Sequence, residues 1–369
     1  MEFVGTLKRW WLGSIAHIDF PLLFITMAIM GVGLVAVFSA TYDSSNKAFS
    51  QVLNMGIALT AMWIVSRLPP QKMMRFAVPL YVVGVVLLVM VFLFGVKVNG
   101  ARRWLSLGFT RIQPSEIMKI AMPLMLAWYF HKYEATLRFR HYIIAALILL
   151  MPFALIAKQP DLGTAILVGA AGFYVIFFAG LPWKVIIGLI AAAAAAAPFV
   201  WTVLHDYQRK RILTLLDPTT DPLGAGYHII QATIAIGSGG PLGKGFLNGT
   251  QTHLEFIPER HTDFIFAVFS EEWGLIGNSV LVFLYVLLIG RGLVIAAAAP
   301  TLFSRLLAGA ITLGFFTYAF INMGMVSGIL PVVGVPLPFV SYGGTALVTL
   351  FIGIGMLMSI QTHRMLVKK

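Results

Sequence analysis

The sequence contains no cysteine, which excludes disulfides, thiol nucleophiles and cysteine-based zinc or iron–sulfur centres. Charge is scarce as well. Charged residues are 11% of the 369, and only 14 residues are acidic, whereas a soluble domain carries about a quarter charged residues. A large soluble domain is therefore excluded. A nucleotide-binding phosphate loop is missing: in GSGGPLGKG, residues 237–245, Ser238 stands where the motif needs Gly and Gly245 where it needs Ser or Thr. No HExxH motif and no Ser–His–Asp array is evident.

What the chain does contain is apolar sequence. Hydrophobic residues make up 59% of it, and the mean hydropathy is +0.89. Ten runs approach or exceed the ~18 residues needed to cross a bilayer as a helix. They lie near 20–40, 49–66, 76–96, 114–130, 142–157, 162–179, 185–203, 263–289, 307–328 and 341–361. The expected fold class is an all-α polytopic membrane protein with ten transmembrane helices. Residues 1–369 form one transmembrane domain, and residues 204–262 form a large extracytoplasmic loop between helices 7 and 8. The basic N-terminus MEFVGTLKRWW precedes a run longer than a signal-peptide core and without an A-x-A site, so a retained first span is expected.

Ten spans place both termini on one side. With the termini inside, inner segments hold 14 Lys and Arg and outer segments 11, Lys119 lying within a span. This modest bias puts the termini in the cytoplasm. The net charge of +12 suits contact with anionic headgroups or an anionic lipid-linked substrate. No basic soluble module is present to carry nucleic acid.

Two outer segments depart from simple connectors. Loop 97–113, KVNGARRWLSLGFTRIQ, puts four basic residues on the outer side; they meet either a bound anion or lipid phosphates. Residues 204–262 are too long for a bare linker. Alternation around His228–Ile236 predicts a short interfacial helix. The glycine-rich piece after it needs unusual backbone angles, with Lys244 near phosphate headgroups.

Four further stretches carry chemistry. In RIQPSEIMK, Pro114 opens a helix. Glu116 and Lys119 then share a face, about 60° apart and ~4.5 Å along the axis. Charge inside a span must face protein or water, so the pair is either structural or part of a polar cavity wall, with Arg111 one turn above. In KQPDLGT, Asp161 is placed to cap the next helix. In GILPVVGVPLPFVSYGG, residues 328–344, a regular helix cannot continue. Broken backbone at membrane depth must be buried in protein or line a cavity, and Ser341 is placed to cap the last helix.

The fourth stretch is ERHTDFIFAVFSEEWG, residues 259–274. Thr262 or Asp263 is the expected N-cap or first residue of the eighth span. Glu271 would then lie about 80° round the helix and ~12 Å deeper, and Glu272 on the opposite face. Asp263 therefore sits alone at the membrane surface, flanked by Arg260 and His261, while Glu271 or Glu272 supports an interior network. Glu259 has no assignable role. A surface carboxylate beside cations can accept a proton while the cations stabilise a charged substrate or leaving group. That arrangement suits a polar head carried on a lipid tail.

PERHTDFIFAVFSEEWG, QPDLGT, QPSEIMK, DPLGAGYHIIQATIAIGSGGPLGKG and GILPVVGVPLPFVSYGG together resemble the SEDS (shape, elongation, division, sporulation) family over nearly the whole chain. GYHIIQ and Arg260 in PERHTDF look like its elongation branch, with the division branch the sibling alternative. The resemblance implies ten transmembrane helices with cytoplasmic termini in the bacterial inner membrane, and an active site on the extracytoplasmic face. It implies a peptidoglycan glycosyltransferase that polymerises lipid II, an undecaprenyl-pyrophosphate-linked substrate. The implied partners are a class B penicillin-binding protein transpeptidase, the elongation machinery and membrane lipid. The family's essential aspartate falls on Asp263, its span Glu and Lys on Glu116 and Lys119, and its loop Trp and basic residues on Trp104, Arg103, Arg102 and Arg111.

From this follows an expected reaction. Asp263 as general base deprotonates the GlcNAc 4-hydroxyl of one lipid II, which attacks the anomeric carbon of a lipid-linked MurNAc with inversion. Arg103, Arg111, Lys119 and Lys244 are candidates to stabilise the departing pyrophosphate, with or without a divalent Mg or Mn ion. Glu116 holds Lys119. Asp161, Arg260, His261 and Ser341 complete the expected substrate-binding set. A lipid II flippase is the competing class, and a non-catalytic scaffold the third.

Overall fold

In the computed structural model the described residues are 17–42, 45–98, 101–106, 111–204, 206–220, 224–253, 256 and 259–364. Each of the ten apolar runs is a helix. The order is α1 Phe20–Ala40, α2 Ser45–Ser66, α3 Pro70–Phe94, α4 Pro114–Lys132, α5 Phe139–Lys158, α6 Leu162–Phe178 and α7 Trp183–Val203. Two helices of the long loop follow, α8 Asp206–Leu216 and α9 Ala225–Gly239, then the single turn α10 Thr250–His253. The bundle ends with α11 Ile265–Ala297, α12 Leu302–Val326 and α13 Gly344–His363. Among the described residues, eight helices are long and apolar enough to cross a membrane. The exceptions among the ten are α4, which carries Glu116 and Lys119, and the shorter α6. Both are largely buried among their neighbours.

Local chemistry explains the helix starts. Asp19 caps α1 by accepting from Leu22 N at 2.9 Å, and proline opens α1, α3 and α4 within the first two positions. Pro79, Pro123, Pro152 and Pro198 lie inside helices, where membrane packing tolerates them. Small residues let helices approach closely. A Cβ on Gly355 of α13 would stand 2.6 Å from the Met62 carbonyl of α2, so those helices touch backbone to backbone. In contrast, no described residue of α7 is buried by the chain, and its alanine run faces outward.

The loop at 97–113 is not irregular. Val96–Val98 (β1), Ala101–Ser106 (β2) and Arg111–Ile112 (β3) form an antiparallel sheet in the order β1-β2-β3. Val96 faces Trp104, Lys97 faces Arg102, and Ser106 faces Arg111. The expected interfacial helix in the long loop is α9. After it the glycine-rich turn docks into a break in α11. Gly274, at φ +61, interrupts that helix, and Leu275 N and Ile276 N donate to the Gly240 and Pro241 carbonyls. Lys244 N and Gly245 N donate back to the Glu271 and Glu272 carbonyls. A Cβ on Gly274 would meet Gly243 N at 2.3 Å, which is why the sequence needs glycine there.

Between α12 and α13 the chain is non-helical, with Gly328, Gly334 and Phe339 at positive φ. It is packed inside the bundle: Val335, Leu337, Phe339 and Val340 are nearly or fully buried. The expected break in helical structure, covered by protein, is present.

Candidate active site

The sheet, the starts of α4, α6 and α11, and the broken segment meet around one cleft of about 310 Å³. Arg103, Trp104, Glu116, Lys119, Asp161, Asp263 and Ser341 all line it. Seven of the twelve residues singled out from the sequence therefore share a single space.

Glu116 and Lys119 form an ion pair of 2.6 Å, with side chains 13% and 7% exposed. Glu116 Oε2 has no partner among the described residues, and the Lys119 ammonium lies 5.2 Å from the centre of the Tyr318 ring. The pair is thus part of the cleft wall. Asp161 caps α6 as expected, accepting from Thr164 N at 3.3 Å. It also accepts from Gln113 Nε2 at 3.1 Å and stands 3.9 Å from Arg103 Nη1. Arg103 donates in addition to the Pro160 carbonyl, so its guanidinium is held at the mouth of the cleft.

Asp263 lies in the turns at 259–264, outside the membrane-spanning helix. It does not cap that helix. Phe264 occupies the N-cap position, without a side-chain cap bond, because the preceding turn folds back: Phe264 N donates to the Glu259 carbonyl at 3.2 Å. The carboxylate instead faces the broken segment, and a Cβ on Gly334 would stand 3.3 Å from Oδ2. Burial raises the Asp263 pKa from 3.8 to about 6, the Glu259 charge pushes in the same direction, and Arg103 opposes it. Glu259, given no role from the sequence, thus tunes the aspartate.

Other expectations need correction. Ser341 does not cap the last helix; Gly343 is its N-cap. The Ser341 hydroxyl accepts from Leu337 N and donates to the Thr262 carbonyl, each at 2.7 Å. Lys244 does not line the cleft. Its ammonium is 2.6 Å from Glu271, a fully buried carboxylate that needs a cation to offset its desolvation. Glu271 also accepts from Thr250 Oγ1 and Gln251 N, both at 3.1 Å, and Glu272 bonds Ser39. The interior network expected of these two acids is present. Arg260 turns away, donating from Nε to the Ala40 carbonyl at 2.8 Å. Arg102 is exposed, and neither Arg102, Arg260 nor His261 lines the cleft; the His261 ring packs on that of Tyr342. The side chain of Arg111 lies outside the described residues.

Sequence reasoning missed Gln113, Tyr318, Asn322 and Gly334. An amide within an apolar run, as at Asn322, is costly in a membrane unless it has partners, and that was the available signal. An apolar groove of about 630 Å³ runs along α4 and α13 and shares Gln113, Glu116 and Thr345 with the cleft. Below Lys119 the space narrows to about 50 Å³ between residues such as Phe315, Leu350 and Met356. Among the described residues no group of three or more His, Asp or Glu is arranged to hold a metal ion.

Comparison with known proteins agrees with this architecture. Residues 20–366 match the FtsW–RodA–SpoVE family model, described as a cell cycle protein. Peptidoglycan glycosyltransferase MrdB of Escherichia coli strain K12 is 50% identical over 354 residues, 96% of each chain. Among solved structures, a chain of a peptidoglycan synthase complex that coordinates polymerization and crosslinking superposes with a TM-score of 0.82 at 35% identity. It covers 94% of this chain and 98% of that one. The rod shape determining protein RodA of Thermus thermophilus superposes with a TM-score of 0.71 at 29% identity, covering 94% of this chain and 97% of its own. The protein belongs to the FtsW–RodA–SpoVE family, the SEDS proteins that its motifs resemble.

Proposed function

We propose that this protein is a peptidoglycan glycosyltransferase of the elongation type, and that Asp263 is its general base. The observation that carries the reading is the placement of Asp263, partly buried with its pKa raised to about 6, in a cleft that also holds Arg103 and Lys119. A base poised near the working pH both accepts a proton and is largely ionised.

The polar cleft opens onto an apolar groove, the shape expected for a sugar–diphosphate head on a long lipid tail such as lipid II. Asp263 takes the proton from the GlcNAc 4-hydroxyl of one lipid II. The oxygen attacks the anomeric carbon of the lipid-linked MurNAc that ends the growing strand, and the undecaprenyl pyrophosphate departs with its bonding electron pair. A displacement with one base opposite the leaving group inverts the anomeric configuration. Arg103 and Lys119 stabilise the diphosphate charge, and Glu116 fixes Lys119. Trp104 offers a flat face to a sugar. A divalent Mg or Mn ion remains a proposal beside this: Asp161, which lines the cleft, is the carboxylate that would hold it, and bound there it would neutralise diphosphate charge.

The membrane arrangement that accompanies this reading is ten spanning helices with cytoplasmic termini in the bacterial inner membrane. The cleft opens on the extracytoplasmic face, and a class B penicillin-binding protein crosslinks the product. The peptidoglycan synthase complex whose chain this fold resembles supports that partnership. Flipping of lipid II is less well supported, because the space below Lys119 is small and mostly apolar and offers a charged head no polar route inward. The test is the purified chain given lipid II, with and without its penicillin-binding partner. Glycan polymer is the expected product; lipid movement across vesicles with no polymer under either condition would contradict the reading.

A further inference from the structure

Three consecutive carbonyls around the proposed base are each held from the C-terminal part of the chain. Tyr342 N donates to the His261 carbonyl at 2.9 Å, Ser341 Oγ to the Thr262 carbonyl at 2.7 Å, and Asn322 Nδ2 to the Asp263 carbonyl at 2.8 Å. The third differs from the others. Asn322 spends its second amide hydrogen on the Val335 carbonyl at 2.7 Å, one residue beyond the Gly334 that faces the Asp263 carboxylate.

We propose that Asn322 is a positioning residue for the reaction: it fixes the Asp263 carboxylate in the cleft by tying the aspartate's own carbonyl to the broken segment at Val335. This rests on Asp263 being the base. Asn322 sits on α12 with its side chain fully buried. Its amide is oriented as a double donor, since the reverse orientation would set its oxygen against two carbonyl oxygens. Its Oδ1 has no partner among the described residues, so the side chain leaves an acceptor unsatisfied in order to keep both donor bonds. Few other side chains fit. Aspartate would place acceptors against acceptors, alanine would orphan two buried carbonyls, and serine supplies one donor at most.

The consequence concerns placement rather than contact with substrate, because Asn322 is not among the residues that line the cleft. A base displaced by about 1 Å can lose ~100-fold in rate while substrate still binds. Freed from Asn322, the carboxylate would also gain water, and its raised proton affinity would fall. Glu259 and Arg103 are the charged groups acting on it; Asp161, Glu116 and Lys119 line the same cleft.

The experiment measures lipid II polymerisation by the full chain with its penicillin-binding partner, as kcat and KM across pH 5–8, for Asn322→Ala and Asn322→Ser. Thermal unfolding is recorded in parallel. The expected result for Asn322→Ala is a kcat reduced ~100-fold, KM within about twofold of wild type, and an acid limb moved to lower pH. Asn322→Ser, which keeps one donor, falls between; if the alanine variant fails to fold, the serine variant decides. Folded variants with the wild-type kcat and acid limb would overturn the assignment. So would a loss of activity that only tracks the loss of folded protein, with the limb unmoved. Asp263→Ala separates the two ideas. If it still polymerises, the proposed base is wrong; if it is inactive while the Asn322 variants behave as wild type, only the positioning role is wrong.

Discussion

The Asp263 carboxylate packs against the backbone of Gly334, so closely that a Cβ there would stand 3.3 Å from Oδ2. Gly334 is also at φ +74, a conformation that costs other residues about 1–2 kcal/mol. Gly334→Ala should therefore lose modest stability and push the carboxylate out of place. The expected outcome is a fall in kcat of tenfold or more, on the order expected for a misplaced base, with only a few degrees lost in thermal midpoint. An alanine variant with wild-type turnover would show that the contact has no bearing on the reaction.

The pH dependence follows from the groups around Asp263. With its pKa near 6, the base is active once deprotonated, so polymerisation should rise through about pH 6 and level off above it. Glu259 raises that value and Arg103 lowers it. Glu259→Gln should therefore move the acid limb to lower pH, and Arg103→Gln should move it higher while also weakening activity at every pH. Opposite shifts in the two variants are the signature; shifts in the same direction would contradict the electrostatic account.

The same raised pKa has a cost in stability. Between the ordinary aspartate value of 3.8 and about 6, the folded chain binds more protons than the unfolded one, so this group's contribution to stability falls as pH rises through that window. At pH 7–8 the ionised carboxylate should weaken the fold by up to roughly 3 kcal/mol. Asp263→Asn, neutral and isosteric, should abolish polymerisation yet unfold at a higher temperature than wild type at pH 7.5. Below about pH 4 the difference should vanish. A melting comparison at both pH values checks this, and an asparagine variant less stable at pH 7.5 would refute it.

The Glu116–Lys119 pair makes a different prediction. Its partners are 2.6 Å apart and mostly buried, and removing one side of such a pair typically costs about 3–5 kcal/mol because the other charge is left uncompensated. Lys119→Met should be strongly destabilised, and Glu116→Gln with Lys119→Met should recover part of that loss. Activity should not recover with it, since the cation that faces the cleft is gone. Recovery of polymerisation in the double variant would mean that the pair is structural only.

Much of this was legible in the sequence, for reasons tied to particular residues. Apolar runs of bilayer length mark the helices regardless of their packing, and the spacing of Glu116 and Lys119 on one helix fixes their pairing. Asp161 caps α6 because the residues after it are helical. What escaped depends on contacts distant in sequence. Nothing near Lys244 announces that Glu271 will claim it. A hydroxyl just before a helix reads as a cap, yet Ser341 is used on Leu337 N and the Thr262 carbonyl. The sheet at 96–112 was signalled only by Asn99-Gly100, a dipeptide favoured in two-residue hairpin turns. Asn322 is one polar residue in an apolar run, and its role lies in two carbonyl partners that the local sequence does not reveal.

In the proposed reaction Asp263 removes the proton from the attacking sugar hydroxyl. The most direct test is lipid II polymerisation by purified Asp263→Ala, with its penicillin-binding partner present and its fold verified by melting. No glycan polymer is expected at any pH from 5 to 8, with lipid II still bound. Polymer made at a rate near that of wild type would contradict it.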